Sequence, residues 1–138
     1  MKKNLVITLV IGLALIIAIG LPALKSRDNT FEGTINPEER INLALEQNKP
    51  IFIEFYADRC PSCTKMKPVI AELQKQYGSK IEFILANTDS EGYQLAANME
   101  VMYIPSYVFV DSNGQQVGKL LSGVIVKSQL EELLKELL

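Results

Sequence analysis

The chain opens on an unbroken apolar run and then settles into short apolar blocks separated by stretches with helical spacing. Leu5 to Leu21 is apolar apart from Thr8, Gly12 and Gly20, and the run extends to Leu24 if Pro22 is tolerated near its end. A tilted membrane-spanning helix needs a stretch of about 20 residues, which this matches. A cleaved signal peptide carries a shorter apolar core of about 7–15 residues and a small-residue cut site, for which Ala18-Ile19-Gly20 is the one candidate. A buried core helix is the third reading, disfavoured because the run has no polar face. Residues 1–24 are therefore read as an N-terminal membrane anchor or signal segment, with the uncleaved anchor preferred. Residues 25–35, polar and rich in breakers, read as a linker, and 36–138 as one folded domain.

Within that domain, Asn36-Pro37-Glu38-Glu39 places a capping residue, a proline and two acids where a helix starts, and Asn48-Lys49-Pro50 ends it. Ile51 to Tyr56 is apolar almost throughout, the pattern of a strand covered on both faces in a parallel or mixed sheet, with Glu54 as its exception. Met66, Val69, Ile70, Leu73 and Tyr77 fall at helical spacing, Gly78 supplies a stop, and Pro68 lies inside the helix, where it should kink it. Ile81 to Ala86 reads as a second buried strand that completes a βαβ unit. Asn87 to Glu91 follows as a loop, and Gly92 to Met99 as a short helix. Tyr107–Val110 and Gln116–Leu121 read as an antiparallel pair turned by Asp111-Ser112-Asn113-Gly114. A capping box, Ser128-x-x-Glu131, opens a last helix with Leu130, Leu133, Leu134 and Leu137 on one face.

Charge and composition remove whole classes of function. The chain carries 14 basic and 16 acidic residues; setting aside Lys2, Lys3, Lys25, Arg27 and Asp28 leaves 10 against 15, so the domain is mildly acidic and unsuited to nucleic acid. There is no histidine, which removes Ser/His and Cys/His nucleophile pairs and the commonest metal ligand. Lys2 and Lys3 precede the apolar run, whereas Lys25 and Arg27 after it are partly offset by Asp28. That bias puts the N-terminus in the cytoplasm and the domain on the extracytoplasmic side, or secreted if the segment is cleaved. No cysteine follows the run directly, which excludes a lipoprotein anchor.

The two cysteines, Cys60 and Cys63, enclose Pro61 and Ser62 just after the first strand. Thiols three positions apart at a strand-to-helix junction can close into a disulfide and reopen. With Cys60 at the helix cap, backbone N–H groups and the positive end of the helix dipole stabilise its thiolate, and Arg59 beside it adds positive charge. Cys60 is then the nucleophile and Cys63 the resolving thiol. Three plainer readings compete. Zinc would find only half a site, haem attachment fails because Thr64 follows the second cysteine, and a purely structural disulfide over so short a loop removes little unfolded-state entropy. Glu54, six positions before Cys60, is costly in a buried strand unless paired or protonated; it is read as the base for Cys63, or else as an edge residue facing water. Ile104-Pro105, on its own, marks no more than the start of a strand.

Taken in order, these positions resemble the thioredoxin superfamily over roughly residues 36–138. Glu54-Phe55-Tyr56-Ala57 is similar to the family's acidic-aromatic-aromatic-Ala segment, and Cys60 and Cys63 to its catalytic pair. Pro68 falls where the family kinks its helix, Asn113-Gly114 fits the final hairpin turn, and Gly123 fits the glycine beside the substrate groove. The resemblance implies an α/β fold with a central mixed sheet flanked by helices, a cis Ile104-Pro105 bond lying against the disulfide, and Glu54 as the buried acid assisting the resolving thiol. It implies no cofactor beyond the redox-active Cys60–Cys63 disulfide. Ile104, Pro105, Arg59, Pro61, Ser62 and Gly123 become the substrate-binding residues. The chain departs from the family at Arg59, where tryptophan is usual, at Pro61-Ser62 in place of Gly-Pro, and at Leu85, where thioredoxin has a lysine paired with the buried acid. Glu54 is thus expected to lack its cation and titrate high. The function expected is a membrane-anchored thiol:disulfide oxidoreductase, acting mainly as a reductant on extracytoplasmic proteins that contain disulfides and recharged by a transmembrane thiol donor. The alternatives are an oxidase or isomerase, or a non-catalytic binding module or chaperone on the same fold.

Overall fold

A computed structural model describes residues 36–138. The anchor, cut site and linker expected over 1–35 lie outside the described residues, among which no helix is long and apolar enough to cross a membrane. In chain order the elements are α1 (Pro37–Glu46), β1 (Ile51–Tyr56), α2 (Pro61–Tyr77), β2 (Glu82–Asn87), α3 (Tyr93–Asn98), β3 (Ser106–Val110), β4 (Leu121–Ser122) and α4 (Lys127–Glu136). The strands form one mixed sheet in the order β2-β1-β3-β4. β1 runs parallel to β2, with Glu54 opposite Leu85, and antiparallel to β3, with Glu54 opposite Tyr107.

Because successive strand residues point to opposite faces, β1 divides its side chains between two cores. Phe52 joins Phe83, Tyr107 and Phe109 under Met66, Ile70 and Leu73 of α2 and Leu130 and Leu134 of α4. Ile51, Ile53 and Phe55 join Ile84 and Val108 under Ala44 of α1 and Leu95 and Ala96 of α3. The near-continuous apolar run of β1 is the consequence, since both of its faces are covered. Alternation also assigns Glu54 to the face of Phe52, beneath α2. At the outer strand, burial alone would raise the Glu82 carboxyl, but hydrogen bonds from Arg40 and Lys49 hold it below the ordinary value. Those contacts tie α1 and the turn after it to β2.

The helix starts were legible where a cap was genuine. Asn36 accepts the Glu38 N–H at 3.1 Å and Pro37 stands at the first helical position, as expected. The capping box at Ser128 does not form. α4 begins at Lys127 with Val126 as its cap residue and no side-chain cap bond. Glu131 is drawn away instead, accepting the Tyr77 hydroxyl at 2.8 Å and pairing with Lys135. The strand expected over Gln116–Leu121 is also corrected, to an isolated bridge at Gln116 and a two-residue β4. Tyr107 faces Leu121 while Val110 faces Gln116, so five steps on the returning segment span three on β3. Gly118, at φ +71°, lies in that excess and breaks the ladder. The Asn-Gly turn is not the two-residue form: only Gly114 has a positive φ, and the Asp111 carboxylate accepts the N–H groups of Asn113 and Gln115, both at 2.9 Å.

Candidate active site

β1, α2 and the segment before β3 converge on the cysteine pair. After Tyr56 the chain turns through Ala57-Asp58-Arg59, and the Cys60 N–H bonds the Ala57 carbonyl at 3.3 Å. Cys60 is the cap residue of α2 and Pro61 its first helical residue, as the sequence indicates. The two cysteines are joined as a disulfide with Cα atoms 5.2 Å apart. The Cys60 sulfur accepts the Cys63 backbone N–H at 3.1 Å and has the Ser62 hydroxyl at 3.3 Å. The two sulfurs are not equivalent to solvent. Cys60 is partly exposed, whereas Cys63 is 1% exposed.

Facing the disulfide, the Ile104-Pro105 peptide bond is cis, and the Ile104 carbonyl oxygen lies 4.0 Å from the Cys60 sulfur. Pro105 is buried, and its carbonyl accepts the Gly123 N–H at 2.8 Å. Gly123 sits at φ +91°, a conformation that suits glycine. Its own carbonyl takes the Tyr107 hydroxyl at 3.2 Å. Ser106, fully buried, donates to the Tyr103 carbonyl at 2.6 Å and meets the Ser122 hydroxyl at 2.7 Å, locking the proline loop to β4. Arg59, Pro61, Ser62, Ile104, Pro105 and Gly123 are thus gathered on elements around the cysteine pair, with Arg59 and Pro61 exposed at its outer edge.

Glu54 does not face water from a sheet edge. It is 4% exposed, its Oε1 has no hydrogen-bond partner among the described residues, and it lines a cavity of about 300 Å³ shared with Cys63, Tyr56, Lys67 and Leu85. Desolvation pushes its carboxyl up to about 7, against the opposing pull of Lys67. The strand position beside it is Leu85, so no cation comes from β2. Lys67 brings one from α2 instead, a residue that the sequence reading passed over. Its signal was its place four residues after Cys63, on the same face of one helix. Also passed over were Met102 and Tyr103, 79% and 74% exposed, which with Tyr93 line an open apolar cavity of about 330 Å³ next to Ile104.

A disulfide capping a helix, one sulfur open and the other buried beside an acid, under a cis-proline loop, is the constitution of a protein that exchanges disulfides through its own sulfur atoms. The chain belongs to the thioredoxin family, whose model, Thioredoxin, matches residues 29–136. Proteins of this family use their own cysteine pair as the redox centre. The chain is 36% identical over 77 residues to "Thiol:disulfide interchange protein TxlA homolog" of Synechocystis, covering 55% of this chain and 43% of that protein. It is 31% identical over 114 residues to Thioredoxin 1 of Nostoc, covering 83% of this chain and 95% of the relative. Among solved structures, oxidised mitochondrial thioredoxin 3 of Saccharomyces cerevisiae matches with a TM-score of 0.60 at 30% identity, covering 72% of this chain and 88% of that one. The chain therefore spans less than half of the Synechocystis relative.

Proposed function

We propose that the protein reduces disulfides in extracytoplasmic proteins, with Cys60 as nucleophile, Cys63 as resolving thiol and Glu54 as the acceptor of the resolving proton. The observation that carries this reading is the inequality of the two sulfurs. In the disulfide state the Cys60 sulfur caps the helix and accepts the Cys63 N–H, a placement at the positive dipole end that favours a thiolate at the accessible atom once the bond is reduced. That thiolate attacks a substrate disulfide: the Cys60–substrate bond forms as the substrate S–S bond breaks, and the first substrate sulfur leaves. The Cys63 thiol then passes its proton to Glu54 and attacks the Cys60 sulfur, releasing the second substrate sulfur and forming the Cys60–Cys63 bond. Two electrons reach the substrate, and the protein is left oxidised.

Ile104, Pro105, Gly123, Pro61, Ser62 and Arg59 frame the substrate segment on this reading. The outward-facing location rests on the apolar run of residues 5–21 and the lysines before it, which act as an anchor. A chain held there and acting as a reductant needs a transmembrane thiol donor to reopen its disulfide. Expressed as the full chain, Cys63→Ser is expected to accumulate covalent complexes on Cys60 that dissolve in dithiothreitol, while Cys60→Ser accumulates none. Failure to recover any covalent protein partner would count against protein substrates. The direction of electron flow is read from the reduction potential: a value near about −270 mV supports the reductant, and one near about −120 mV replaces it with an oxidase.

A further inference from the structure

Glu54 is an acid set in a strand with nothing to pair with on either neighbouring strand. Its partner position on β2 is Leu85 and on β3 is Tyr107, whose hydroxyl is committed to the Gly123 carbonyl. On β1 its same-face neighbour is Tyr56, and past the strand end Asp58 lines the same cavity; neither supplies positive charge. From α2 five residues line the cavity, Cys63, Lys67, Ile70, Ala71 and Gln74, and of these Lys67 alone carries positive charge. The helix repeat explains the pairing, because a residue four positions on lies one turn further along the same face. Lys67 is an exposed residue that also lines the cavity, so a hydrated ammonium can still act on Glu54 through its field.

We propose that Lys67 is the positioning residue of the buried acid: from α2 it supplies the one positive charge among the described residues that lines the cavity with Glu54, replacing a cation on β2. This rests on the reading of Glu54 as proton acceptor. The physical task is specific. An isolated carboxyl in a dry pocket holds its proton too tightly to act as a base near neutrality. An opposing charge on the far side keeps the carboxylate within reach, consistent with the sense in which Lys67 acts on Glu54. Placing that charge on the helix that carries Cys63 ties the acid's strength to the element that presents the resolving thiol.

Two measurements on the full chain test this. The first follows the Glu54 carboxyl carbon by NMR across pH in the reduced protein. In Lys67→Met the midpoint is expected to move alkaline by about half a pH unit, roughly threefold in proton affinity, and by less at high salt. Lys67→Arg should leave it in place, and adding Leu85→Lys to Lys67→Met should bring it back. A midpoint that stays put in Lys67→Met, or that moves equally in Lys67→Arg, overturns the proposal. The second mixes reduced protein with 5,5′-dithiobis(2-nitrobenzoate) and times the second thionitrobenzoate released as Cys63 closes on Cys60. Its rate-against-pH curve should move with the NMR midpoint and lose that inflection in Glu54→Gln. If Glu54→Gln keeps the curve, the role of Glu54 itself falls; if only Lys67→Met leaves it unmoved, Lys67 alone falls.

Discussion

On the proposed reading of Glu54 as proton acceptor, folding and chemistry pull against each other at its carboxyl. Its carboxyl rises from 4.5 to about 7 because burial penalises the charge. A raised acid binds its proton more tightly folded than unfolded, so its contribution to stability is complete below pH 4.5 and is lost as pH climbs through about 7. The difference is worth about 3 kcal/mol by linkage, an upper figure because a cavity open to solvent softens it. Urea unfolding is therefore expected to show the chain losing stability between pH 5 and pH 7.5, with Glu54→Gln flattening that decline. A parallel decline in Glu54→Gln would mean the carboxyl is not the cause. Glu82, Glu91, Asp111 and Glu131 are all held below their ordinary values, so what they contribute is lost only in more acid solution. Their losses fall on the other side of the optimum.

Among the helices, the ends differ in how well they are tied. α1 has a side-chain cap, and α2 has the Cys60 sulfur, but α4 starts at an exposed valine that offers no side-chain acceptor to its first N–H groups. Val126 already holds extended backbone angles, φ −69° and ψ 140°, suited to a cap residue. Val126→Asp should therefore raise the unfolding free energy by about 0.5–1 kcal/mol through a new hydrogen bond and the dipole. A midpoint unchanged in thermal melts would show that the end is already satisfied by water. The same helix explains why its start was misread: Ser128 and Glu131 satisfy the capping-box pattern, but Tyr77, far off in sequence, outbids it for the carboxylate. Local signals were read correctly where the partner was local, as at Asn36, β1 and the cysteine cap. They misled where a distant residue or an irregular strand decided the outcome, as at α4 and the broken stretch before β4.

Over the whole domain, the sheet order brings together residues that the chain keeps apart: with β3 antiparallel beside β1, Glu54 lies opposite Tyr107, the Ile104 carbonyl comes to the Cys60 sulfur, and Gly123 bonds Pro105. Sequence patterning supplied the first three strands and the dithiol, and similarity to a known family supplied the proline geometry. Neither could show that Lys67 stands where a strand lysine is missing, because that depends on which side of α2 overhangs the sheet. The burial of Cys63 against the openness of Cys60 carries one more consequence. Only a single atom of this centre can be touched from outside, so whatever recharges the protein and whatever it serves must take turns at the same doorway. Steady-state turnover is thus expected to follow a double-displacement pattern, with parallel reciprocal plots and each reactant inhibiting the other at excess. Intersecting plots would reveal a second point of access and undo that picture.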